Sequence, residues 1–129
     1  MGGIANMGLR DSIQEIALPL RDKLRKGAGP YLEPEEQIQA AFLVKRPGMQ
    51  YNDRAMVATD RRILLLELGM RVSTIKAVLA EVPRETKLGP CHGVLHPIGV
   101  FGTELQVFRR FFPDVAEADR AAGFQPSTV

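Results

Sequence analysis

The chain has 129 residues, 45% of them apolar, with 17 Lys and Arg against 15 Asp and Glu for a formal net charge of +2. That length suits one domain with a core of its own, and the composition is that of a soluble globular protein. One cysteine excludes an internal disulfide, no Cys/His cluster has metal-ligand spacing, and no apolar run nears the roughly 20 residues of a spanning helix.

The first residues lack the basic, apolar and small-residue order of a secretory signal, so a cytoplasmic setting is expected. Residues 1–30 carry five basic and three acidic residues, and residues 31–129 carry twelve of each. A neutral body argues against a nucleic-acid binder, which concentrates positive charge on its folded surface.

The N-terminal 30 residues read as a helical arm. Leu9, Ile13, Ile16, Leu20 and Leu24 recur at helical spacing and line one face. Ser12 and Glu15 form a capping box, and Lys23, Arg25 and Lys26 fall in the last turn, where cations suit the helix dipole. Gly27 is expected to end the helix, and Pro19 to kink or divide it.

From Tyr31 the pattern turns to strands. Ile38, Ala40, Phe42 and Val44 share a parity, which predicts a half-buried strand closed by Pro47-Gly48. "YNDRAMVATDRRILLLEL" predicts two strands around Asp60-Arg61-Arg62. In "RVSTIKAVLAEVPRETKLGP", Val72, Ile75, Leu79 and Val82 fit a helix, whereas Val78, Ala80 and Val82 fit a strand. Dense β-branching and Pro83 favour short strands. "GVLHPIGVFGTELQVFRRFF" adds two more.

A final helix is predicted in "FFPDVAEADRAAGF". Pro113 suits its first position, Asp114 and Glu117 its first turn, and Gly123 its end. Its expected apolar face is Phe112, Val115, Ala116 and Ala122. Residues 124–129 read as a tail. Six or seven short strands in series predict an antiparallel sheet curling into a small barrel or sandwich, with the helix over one open end.

These pieces together carry a resemblance. "LEPEEQIQAAFLV" as first strand, "MVATDRRILLLEL" as central hairpin, "VLAEVPRETKLG" as following strand and "LQVFRRFFPDVAEAD" as last strand and helix resemble a bacterial pleckstrin-homology-like (PH/GRAM-like) domain over residues 31–123. The resemblance implies a mainly β (α+β) bent barrel or sandwich of about seven strands with a C-terminal capping helix. The amphipathic N-terminal helix is then an addition. It also implies a non-enzymatic binding or assembly role and, for bacterial members, self-association through exposed strand edges. The first loop, "KRPGMQYNDR", lacks the dense basic charge of phosphoinositide-binding relatives.

Several residues bear chemistry. Two guanidiniums at Arg61 and Arg62 suit a phosphate, but Thr59 and Asp60 favour a tight turn. Cys91 with His92 suggests a nucleophile and base, and His92 with His96 a metal pair. Adjacent strand residues diverge, however, and no third ligand lies near. Glu33, Glu35 and Glu36 read as a solvated entry loop. Arg109 and Arg110 among Phe108, Phe111 and Phe112 read as a solvated Arg row on a core strand. Neither a phosphate loop nor a nucleophile elbow occurs, so neither catalysis nor a cofactor is expected.

The sequence therefore points to an interaction or self-assembly module. Leu9, Ile13, Ile16, Leu20 and Leu24 are its candidate contacts, through burial of the arm and pairing of strand edges. Its partner is expected to be another protein or a second copy. The alternative is a peripheral membrane module whose anionic contacts are Arg21, Lys23, Arg25, Lys26, Arg61 and Arg62.

Overall fold

The computed structural model describes residues 20–70 and 74–124. Leu9, Ile13, Ile16, the Ser12 cap, the Pro19 kink, Val72 and the tail from residue 125 lie outside the described residues. Two helices and six strands are found among the rest: α1 (Leu20–Ala28), β1 (Ile38–Val44), β2 (Arg54–Thr59), β3 (Arg62–Leu68), β4 (Ile75–Pro83), β5 (Leu95–Ile98), β6 (Leu105–Phe108) and α2 (Phe112–Ala121).

Leu24 and Ala28 on α1 are fully buried, and Leu20 packs against the same core. Asp22 in the first turn and Arg25 and Lys26 in the last suit the helix dipole. Gly27 does not stop the helix, contrary to expectation. α1 runs on to Ala28 and tightens into a 3₁₀ turn over Gly29–Tyr31, with Pro30 where a missing N–H costs nothing.

Strands β1 to β4 form an antiparallel sheet in sequence order, and β5 and β6 a separate antiparallel pair. The β2–β3 register, Arg54↔Glu67 to Ala58↔Ile63, leaves Asp60 and Arg61 as the reversal. The expected half-buried first strand is corrected. Ala40 to Val44 are all buried, as are Ala55 to Thr59 and Ile63 to Leu66. Successive side chains point to opposite faces, so the middle of this sheet is covered on both. Both helices pack against β1.

The sheets meet at one bridge, where Lys45 and Gln106 exchange backbone hydrogen bonds of 2.9 and 2.8 Å. The result is an α+β fold of four-stranded and two-stranded sheets, six strands and not seven among the described residues, and not a closed barrel. β4 and β5 do not pair. Pro83 ends β4 and Pro97 sits within β5, and neither has an N–H for a ladder.

α2 buries Val115, Ala118 and Asp119, while Ala116 is exposed. The apolar face is thus rotated from the one expected: Ala118 joins it and Ala116 leaves it. Gly123 ends the helix in a left-handed conformation (φ +96°), and the Phe124 N–H reaches back to the Asp119 carbonyl at 3.0 Å.

Candidate interaction surface

The Asp60-Arg61-Arg62 cluster is a turn tied to the loop before β1. Thr59 Oγ1 accepts the N–H groups of Arg61 and Arg62, both at 3.1 Å. Asp60 accepts the Gln37 N–H at 2.9 Å. Arg61 pairs with Glu33 at 2.8 Å on the surface. Arg62 grips Glu36 with two hydrogen bonds of 3.0 Å, donates to the Tyr31 carbonyl at 3.3 Å and lies 3.7 Å from Glu81.

Glu33 and Glu35 are exposed as expected of an entry loop, but Glu36 is buried, which corrects the reading at that residue. Glu35 takes a left-handed backbone (φ +65°), unusual for a side-chain-bearing residue, next to the buried carboxylate. Glu36 also accepts a hydrogen bond from Thr59 Oγ1 at 2.5 Å. The Arg62 hydrogen bonds, opposed by burial and helped by Thr59, bring its carboxyl down from 4.5 to about 2. Glu36 in turn raises the pKa of Arg62. Arg62 is therefore occupied from within the chain, as is Arg61 by Glu33. Arg21 turns toward Asp114 at 3.9 Å. Lys23 is half-exposed, and Arg25 and Lys26 are exposed on α1.

A second polar knot was not legible in the sequence. Buried Arg84 donates to Gln39 on β1 at 2.9 and 2.7 Å and to the Ala118 carbonyl on α2 at 2.8 Å. Its Nη1 has no hydrogen-bond partner among the described residues. Buried Asp119 accepts the Leu88 and Gly89 N–H groups at 2.8 and 2.9 Å. These bonds dock α2 onto β1 and the β4–β5 connection. An arginine in a Pro-containing loop and an aspartate in an amphipathic helix carry no local mark of burial.

Beside this knot, Gly89, Cys91, Phe112, Val115 and Phe124 line a cleft of about 250 Å³. Burial pushes the Cys91 thiol up to about 11, so it is a thiol at neutral pH, the inert form. His96 Nδ1 accepts the His92 N–H at 3.2 Å, and its ring meets Phe112 edge-on. Burial, then His92, lowers its pKa. Of Cys91, His92 and His96, Cys91 lines this cleft and the two histidines do not, and no hydrogen bond joins the thiol to either ring. Among the described residues no three His, Cys, Asp or Glu side chains converge as a metal site. Arg109 and Arg110 are exposed in a 3₁₀ turn after β6, not on it, with Arg110 over the Phe111 ring.

The outer edge of β4 differs from all of these. β4 is nine residues long and ends the four-stranded sheet, with only β3 hydrogen-bonded beside it among the described residues. Its mid-strand Val78 and Leu79 are 39% and 44% exposed. Comparison with known proteins gave no match: no family model fits the chain, and no curated protein or solved structure matches it.

Proposed function

We propose that the chain is a non-enzymatic, pleckstrin-homology-like interaction module that recruits its partner by strand addition at β4. An α+β body of antiparallel sheets with a C-terminal helix on β1 is the coarse form of such a domain. The unpaired β4 edge with Val78 and Leu79 exposed carries the proposal. Apart from the Ile75 carbonyl, which accepts the Tyr31 hydroxyl at 2.7 Å, such an edge is a template for another strand, and the adjacent apolar side chains add contact area.

The membrane alternative draws on Arg25 and Lys26, both exposed on α1. Against it, Leu24 is spent on the chain's own core and Leu20 packs on it, so the described part of the helix has little apolar face left for a bilayer.

The test is a photo-crosslinking amino acid placed in the cell at Val78, at Leu79 and, as control, at exposed Glu104. Protein adducts at 78 and 79 well above those at 104 are expected. Equal or absent adducts at all three would remove the edge from consideration. Co-flotation with anionic liposomes at low salt, abolished by Arg25→Glu with Lys26→Glu, would favour the membrane alternative.

A further inference from the structure

The cleft beside Asp119 has two walls. One is the β4–β5 connection at Lys87, Gly89 and Cys91, and the other is α2 with Phe124 just beyond it. Asp119 ties the walls together through the Leu88 and Gly89 N–H groups at 2.8 and 2.9 Å. Gly89 permits the close approach, because a Cβ there would stand 3.3 Å from Asp119 Oδ2 and 3.7 Å from Val115 Cγ1. The left-handed turn at Gly123 brings Phe124 to the cleft, with its N–H on the Asp119 carbonyl at 3.0 Å. Across the other ring of the lining, His96 meets Phe112 edge-on at 6.3 Å and braces it. A cleft held in this way loses little freedom when it is filled.

Its chemistry differs between inside and mouth. Phe112, Phe124 and buried Val115 give it aromatic and aliphatic surface. The Cys91 thiol is neutral at pH 7. The Asp119 carboxylate is buried, and both of its oxygens already accept backbone N–H groups. The exposed charges that line the cleft are both cationic, Lys87 and Arg120. Arg120 pairs with Glu117 on the surface of α2. Lys87 has no carboxylate partner among the described residues, and its Nζ stands 5.8 Å over the Phe124 ring. The volume, about 250 Å³, sets the size of an occupant. A cavity of roughly 150 Å³ takes up benzene, so this one suits a single ring with a short side chain.

We propose that this cleft binds a small single-ring carboxylic acid, its ring against Phe112, Val115 and Phe124 and its carboxylate on Lys87 at the mouth. The ring gains edge and face contacts with both phenylalanines beyond the area it buries. The carboxylate stays in reach of water, so no bare charge is buried. A cationic head group would instead meet Lys87 and Arg120. No β4 residue lines the cleft, so this site is independent of the edge.

Amide chemical-shift mapping of the full chain with phenylacetate tests the site. A ligand this small is expected to bind in the millimolar range or tighter. Shifts should map to residues 87–91 and 112–124 and leave β2 and β3 unchanged. Phenylacetamide, neutral with the same ring, is expected to bind roughly five-fold more weakly, as one exposed ion pair allows, and phenethylamine more weakly still. Lys87→Glu should weaken the acid by at least that factor and spare the amide. Ala116→Phe fills the cleft from an exposed helix position and should abolish binding of all three while the dispersed spectrum of the fold remains. Shifts spread evenly over the chain, no shifts at about 20 mM acid, or equal affinity for acid and amide would overturn the proposal. So would binding to Ala116→Phe as tight as to the native chain. Acid binding that appears only once residues 125–129 are removed would assign the cleft to that segment and overturn it too.

Discussion

Glu36 and Arg62 show what a buried pair does at the scale of single residues. The Glu36 side chain is inaccessible, and among the described residues Arg62 is the one cation in hydrogen-bond range of its carboxylate. Removing that partner strands a buried charge, which costs about 3–5 kcal/mol. Arg61 pairs with Glu33 in solvent, where such pairs contribute less than about 1 kcal/mol. Urea unfolding of Arg62→Ala and Arg61→Ala is expected to separate them by that margin. Equal midpoints would show that the pair does not hold the turn. The same carboxylate sets a pH response. Its folded value of about 2 lies below the ordinary 4.5, so its stabilisation is complete above pH 4.5 and lost as pH falls through 2. At about 1.4 kcal/mol per pKa unit the loss is about 3 kcal/mol. Unfolding free energy should fall between pH 5 and pH 2 by about that much more in the native chain than in Glu36→Gln.

At the scale of elements, α2 is held by polar bonds as much as by Val115 and Ala118. Asp119→Ala leaves the Leu88 and Gly89 N–H groups without acceptors and is expected to cost about 2–4 kcal/mol. Faster amide exchange should appear across Phe112–Ala121 and residues 84–91, with β2 and β3 unchanged. Uniform acceleration would mean that Asp119 does not act as a local clamp. The same elements mark what the sequence could disclose. Alternation, Pro47-Gly48, the Thr59-Asp60 turn chemistry and the Pro113 and Gly123 signals are local, and the strands, the hairpin and the last helix were legible from them. The two-sided burial of β1 was not, because it depends on helices distant in sequence. Nor was the capture of Arg62 by Glu36, 26 residues earlier, or of Gln39 by Arg84, 45 residues later. The candidate surface was half legible. An exposed strand edge was expected from a resemblance, but which edge lies open among the described residues follows from the failure of β4 and β5 to meet.

At the scale of the whole molecule, two short sheets bridged at Lys45–Gln106 leave the long strand β4 with an outer edge that no other strand pairs among the described residues. Native sheets seldom leave such an edge without protection, and β4 carries two register shifts against β3, one at Leu79 and one at Lys76. The central claim is that this edge is the working surface. Photo-crosslinking in the cell from Val78 and Leu79, against Glu104, tests it most directly. Protein adducts at 78 and 79 should stand well above those at 104. Equal adducts at all three positions, or none at any, would contradict it.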